Sequence, residues 1–169
     1  MCIVIEPISI LLADKRLCEF SYILTFKWNK KMKPVNSNDI TQGVHHVGLT
    51  VTNLDEARHF FINTLRYQHV GDKPDYPAAI LSDGTTLITL WQASDPTKVV
   101  GFDRKNGVGL HHLALAVTGD AELDSLYQDL SKDTRVKIEF APTLIGDGPK
   151  RHMMCNIPGG GIRVEFIAL

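Results

Sequence analysis

The chain says the same thing twice. GVHHVGLTVT at 43–52 returns 66 residues later as GLHHLALAVT at 109–118, with six of the ten positions identical. A duplicated unit constrains the fold more than any composition, because each copy must adopt the same local structure and bury the same face. Both stretches alternate apolar residues at a period of two, the mark of a half-buried strand. A helical pattern follows each strand. In the first copy Asn53 is placed to cap, with Glu56 three residues on. Leu54, Ala57, Phe61 and Leu65 then form one apolar stripe, as Leu123, Leu126, Tyr127 and Leu130 do in the second. Three short strands follow each helix, near 67–71, 77–82 and 85–92, and near 135–140, 151–157 and 161–168. SDG at 82–84 and PGGG at 158–161 turn the chain into the last strand of each copy. The fold class is therefore α+β, two tandem βαβββ modules. Module 1 covers about 43–93, a linker about 94–108, and module 2 about 109–169, all within a single domain over 43–169.

Composition bounds the partners. With 44% hydrophobic and 22% charged residues in 169, the chain has the make-up of an ordinary folded domain. A net charge of −1 and the lack of basic clusters with interleaved aromatics argue against nucleic acid. The apolar start CIVIEPISILLA is broken by Glu6 and Pro7 and is too short to cross a bilayer, and it lacks the basic lead and cleavage site of a secretory signal. Cys2, Cys18 and Cys155 are an odd, scattered set that does not read as a disulfide framework, so a cytoplasmic location is expected. Residues 1–42 read as an N-terminal extension, poorly structured or accessory, with Met32 as a candidate natural start.

Strand parity sorts the histidines. Residues two apart share a face, so Val47, Leu49 and Val51 form an apolar face, and His46, Gly48 and Thr50 form the other. In the second copy His112, Ala114 and Ala116 form the corresponding face. His46 and His112 thus have small neighbours and room for an ion or a ligand. His45 and His111 fall on the opposite face, at the rim or capping the packing. A lone histidine is more often structural, but equivalent histidines in a repeat lie about a pseudo-twofold axis and can converge. Glu165, in GIRVEFIAL, sits in an apolar strand where an unpaired carboxylate is costly. It is a third ligand, or it faces a solvent edge, or it pairs with Arg163.

The duplicated unit with HHVGLTV, HHLALAV and PGGGIRVEF resembles the vicinal oxygen chelate superfamily, over about 43–169. That group includes glyoxalase I, methylmalonyl-CoA epimerase, fosfomycin-resistance transferases, bleomycin-resistance proteins and extradiol ring-cleaving dioxygenases. The resemblance implies a curved mixed sheet around a metal-binding cleft, with ligands on the first and fourth strand of each module. Carried over, these are His46, His112 and Glu165, with Thr89 at the remaining position. Glyoxalase I usually has a carboxylate there and the epimerase an amide. Threonine is a poor ligand and a poor base, which puts both isomerase chemistries in doubt.

Two histidines and a carboxylate resemble a facial triad with open coordination positions. The cofactor implied is one divalent ion: Fe, Mn, Ni, Co or Zn. Ring-cleaving relatives usually carry a tyrosine shortly before the glutamate, whereas the segment HMMCNIPGGGIRVE holds His152 but no tyrosine. Fosfomycin enzymes usually carry a threonine two residues after the first ligand, where this chain has Gly48. The implied function is a metal-dependent enzyme acting on a small substrate with vicinal oxygens, dioxygenase-like in preference. The alternatives are a glyoxalase-like lyase or isomerase, and a sequestering protein of the bleomycin-resistance kind. Trp91 is a candidate pocket wall or plain core. Arg151, in the loop-proximal run IGDGPKR, is a candidate contact for a substrate anion. His152 is a candidate acid or base, or a structural histidine. A small-molecule substrate and a homodimer are expected, with no membrane partner.

Overall fold

The computed structural model describes residues 40, 41 and 43–169. The expectations for an N-terminal extension, for Met32 and for Cys2 and Cys18 lie outside the described residues.

Gly43–Leu169 is a compact unit. Its first module runs β1 (His46–Val51), α1 (Leu54–His59), a π-helical turn (Phe60–Thr64), β2 (Gln68–Lys73), β3 (Ala78–Ser82) and β4 (Leu87–Gln92). After a short 3-10 turn at Pro96–Lys98, the second runs β5 (Leu113–Val117), α2 (Asp120–Leu130), β6 (Lys137–Leu144), β7 (Arg151–Asn156) and β8 (Arg163–Ala168). The strand orders are β1-β4-β3-β2 and β5-β8-β7-β6. β1 and β4 are parallel, as are β5 and β8, and the remaining neighbours are antiparallel. This is βαβββ written twice. The one curved sheet expected from the sequence is instead two separate sheets among the described residues. β1 and β5 each have a strand partner on one side only.

Local chemistry explains the element starts. The Asn53 side chain accepts the Glu56 backbone N–H at 3.1 Å, closing one orphan donor of α1. The Phe60–Thr64 turn then widens to π geometry, which lets the adjacent Phe60 and Phe61 both bury fully. The apolar strand faces meet these helices in one core cluster, including Leu49, Val51, Leu81, Ile88, Leu123, Met153, Val164 and Phe166. The modules are also joined by backbone. The carbonyl of Gly159, in the β7–β8 turn, accepts N–H groups from Thr52 at 2.7 Å and Asn53 at 3.1 Å, at the β1–α1 corner. Gly159 has φ +80°, and a Cβ there would stand 2.6 Å from the Asn53 carbonyl oxygen and 2.7 Å from the Ala57 nitrogen. Only glycine fits that approach. No described helix is long and apolar enough to cross a membrane.

Candidate functional site

The strand registers place the duplicated residues equivalently. Gly48 lies opposite Thr89 and Ala114 lies opposite Glu165. His46 and His112 each stand two residues before those glycine and alanine positions, so each shares its partner's face. Strand parity holds for β1, where Val47 is half-buried, Leu49 and Val51 are buried, and His46, Gly48 and Thr50 are open.

In module 2 the face is polar and assembled. Glu165 is 9% exposed in a strand flanked by Val164 and Phe166. Its Oε2 lies 3.0 Å from His112 Nε2. Its Oε1 is hydrogen-bonded to His152 Nδ1. The His152 ring rests 4.9 Å from that of Phe140, centroid to centroid. Neither alternative foreseen for Glu165 is realised. It does not face solvent, and Arg163 is engaged elsewhere, its Nε donating to both Glu139 oxygens at 3.0 Å. Asn156 donates to Glu139 as well, at 3.0 Å. Burial pushes the Glu139 carboxyl up, but these donors and the Arg163 charge outweigh it and hold the group below its ordinary range.

His45 and His111 are exposed at the rim, as their parity implied, yet each meets the histidine that follows it. His45 Nδ1 lies 3.0 Å from His46 Nδ1, and His111 Nδ1 lies 2.8 Å from His112 Nδ1. The rings meet edge to face in both pairs. Sequence reasoning missed this contact, because alternation holds inside a strand and both leading histidines precede theirs.

In module 1 the matching face is different. Thr89 is buried and its hydroxyl accepts the Trp91 indole N–H at 3.0 Å. Gly48 makes room for the pair, since a Cβ there would lie 3.3 Å from Thr89 Oγ1 and 3.6 Å from Trp91 Nε1. Trp91 is half-buried and is met by Tyr76, centroids 5.0 Å apart, and by Lys73, its Nζ 5.5 Å from the ring. Tyr76 and Lys73 carried no sequence signal, because only the β2–β3 register brings them to this face. Arg151 is anchored to α2. Its guanidinium grips Asp124 on α2 with two hydrogen bonds, at 3.0 and 2.8 Å, and that bonding holds the Asp124 carboxyl below its usual range.

The donor chemistry of His112 and Glu165, an imidazole nitrogen and a carboxylate oxygen, suits a divalent ion of the first transition row. Among the described residues no three histidine, cysteine or acidic side chains stand where one ion could take them all. His46, the third expected ligand, has His45 as its polar neighbour.

Comparison with known proteins agrees with this architecture. A family model described as the Glyoxalase/Bleomycin resistance protein/Dioxygenase superfamily matches residues 43–166. A Bacillus halodurans protein named as a candidate glyoxalase is similar at 27% identity and TM-score 0.63, over 76% of this chain and 97% of that one. The fosfomycin-resistance protein FosX of Listeria monocytogenes shares the fold at 14% identity and TM-score 0.60, over 77% and 95%. The lactoylglutathione lyase of Agrobacterium tumefaciens does so at 16% and 0.57, over 77% and 96%. No curated protein matches the sequence significantly. With its two βαβββ modules and a family match spanning nearly all of both, the chain belongs to the glyoxalase/bleomycin-resistance/dioxygenase superfamily, the vicinal oxygen chelate proteins.

Proposed function

We propose that this chain is a divalent-metal-dependent enzyme acting on a small substrate with two vicinal oxygens, dioxygenase-like rather than isomerase-like, and that its ligands His46, His112 and Glu165 meet across a homodimer in the cytoplasm. The observation that carries the reading is Glu165, a nearly buried carboxylate in an apolar strand, aimed at the equivalent histidine of its own module. Such a group is retained at a cost, and ligation explains the cost. His46 would reach the same ion from a second copy.

Exposed apolar side chains in the runs leading into the two histidine strands support a partner copy: Val44 before β1, and Val99, Val100, Phe102, Val108 and Leu110 before β5.

A bound ion would supply a Lewis acid and a template for the two substrate oxygens. The chain's own residues do the rest. Glu165 is held by His152 through Oε1, with Oε2 turned to His112 Nε2, so that the carboxylate and the imidazole would present to the ion together. His152 Nε2 is the ring nitrogen free to exchange a proton with substrate. Thr89 gives no base, since its hydroxyl is already taken by the indole N–H. That supports the choice against a glyoxalase-type proton shuttle.

The test is a mixing experiment. His46→Ala and Glu165→Gln proteins should each purify with little metal. Unfolded together and refolded, they should regain about a quarter of the wild-type metal sites, because half the dimers are mixed and each mixed dimer holds one intact site of two. Recovery of nothing would mean that the sites are not shared between copies. Wild-type protein free of metal in every preparation would leave the sequestering reading in place.

A further inference from the structure

Where the β7–β8 turn docks on α1, the two modules wall a cleft of about 370 Å³. Glu56 enters it from α1, and Arg135 and Lys137 from the start of β6. Ile157, Pro158 and Gly159 of the turn line it as well, and all three are buried. The cleft therefore pairs an apolar floor with charged side chains that reach it from different modules. Its volume falls near the lower end of the range for small-molecule sites, roughly 300–1,000 Å³. No thiol, hydroxyl or imidazole lines it among the described residues, so it is equipped to hold a ligand and not to react with one.

The charges around the cleft are not equally available. Arg135 is already matched, its Nε donating to Asp133 Oδ1 at 2.8 Å and its second terminal nitrogen to Oδ2 at 2.6 Å. Glu139, two residues along β6 from Lys137, is matched by Arg163 and Asn156. One ammonium and one carboxylate are left over. Among the described residues Lys137 Nζ and the Glu56 carboxylate have no hydrogen bond and no ion pair, and they do not reach each other across the cleft. Together they carry no net charge. A plain anion would meet Lys137 and be repelled by Glu56, and a plain cation the reverse. A ligand bearing both charges satisfies both side chains.

We propose that this cleft binds a free aliphatic α-amino acid as its zwitterion. Lys137 takes the carboxylate, Glu56 takes the ammonium, and the side chain lies over Ile157 and Pro158. An amino acid carries both charges and an apolar tail on one carbon, which suits a small cleft with two charges above an apolar floor. The bound ligand touches both modules, and so reinforces the grip of the Gly159 carbonyl on the β1–α1 corner. The site uses none of His46, His112 and Glu165, and it stands whether or not the chain holds a metal.

The test is calorimetric titration of the full-length protein with L-leucine and with its two halves in charge, isocaproate, which lacks the ammonium, and isopentylamine, which lacks the carboxylate. Leucine should bind about fivefold more tightly than either, the scale of one partly exposed ion pair. Lys137→Met should bring leucine down to the level of isopentylamine, and Glu56→Gln should bring it down to that of isocaproate. Lys137→Arg should keep the preference, which separates lost charge from lost folding. Leucine should also raise the melting temperature of the wild type, and should raise that of the Lys137→Met and Glu56→Gln proteins less. Leucine bound no more tightly than its halves, a preference that survives either charge-removing substitution, or no binding of leucine would each overturn the proposal.

Discussion

Each expected ligand histidine has a second histidine on its other ring nitrogen. His112 meets Glu165 through Nε2 and His111 through Nδ1, and His46 has the same Nδ1 contact with His45. A partner on Nδ1 fixes ring rotation and tautomer, and leaves Nε2 for the ion. His112→Ala should abolish Zn(II) binding by calorimetry. His111→Ala should weaken it by about tenfold, the usual cost of losing an outer partner, and His111→Gln should recover part of the loss. Wild-type affinity in His111→Ala would show that the contact orients nothing. The doubled histidine was legible in the sequence, and so was the facing of its second member. The link between the two was not, because it depends on where the strand begins.

A second residue-scale device lies in module 1. Tyr67 donates to Asp83 at 3.3 Å. Burial raises the Tyr67 phenol well above its ordinary value, with the Asp83 charge adding to it. Burial also lifts Asp83, but N–H and hydroxyl donors from Thr86, Thr85 and Tyr67 outweigh it and the net shift is downward. The depressed Asp83 contributes stability above its unfolded value of about 3.9, and this is lost as pH falls through the folded one. The raised Tyr67 contributes below its unfolded value of about 10, and this is lost as pH rises toward the folded one. Tyr67→Phe should therefore cost about 1 kcal/mol at neutral pH. In urea unfolding, the gap between wild type and variant should narrow above pH 10, where the unfolded wild type sheds its phenol proton and the folded one does not.

At the scale of elements, two of the three β7–β8 turn glycines separate strain from collision. Gly161 has φ +63° and open space where a methyl group would stand, whereas Gly159 at φ +80° would drive one into the α1 backbone. Gly161→Ala should cost about 1 kcal/mol, from backbone strain alone. Gly159→Ala should cost clearly more, about 3 kcal/mol, because the neighbouring backbone must move as well. Chemical denaturation of the two variants side by side checks the ranking, and equal losses would mean that the turn can swing away from α1. The sequence showed that PGGG turns the chain, and it showed the Asn53 cap, because both are local chemistry. It did not show the π turn, since burying Phe60 beside Phe61 is decided by the core. Nor did it show the grip on the β1–α1 corner, which joins residues more than a hundred positions apart.

For the whole molecule, the repeat revealed two βαβββ modules, whereas the one curved sheet came only from the resemblance. The two sheets stay separate, and the run between them is open, with residues 96–111 all exposed. Brief trypsin treatment should cut at Arg104 or Lys105 in that run. The two pieces should still elute together on size exclusion, held by the shared core and by the Gly159 carbonyl. Separation on cutting would show that the linker itself holds the modules together. The grip is one-sided. Gly84, in the corresponding turn of module 1, meets nothing within 4 Å of a Cβ position. Duplicated halves usually become interchangeable in principle, but these have divided the labour, one grasping and the other being grasped. Since what is grasped is a surface and not a chain neighbour, a gene rearranged to encode module 2 ahead of module 1, with a connecting segment long enough to span the new junction, should still yield the same folded pair.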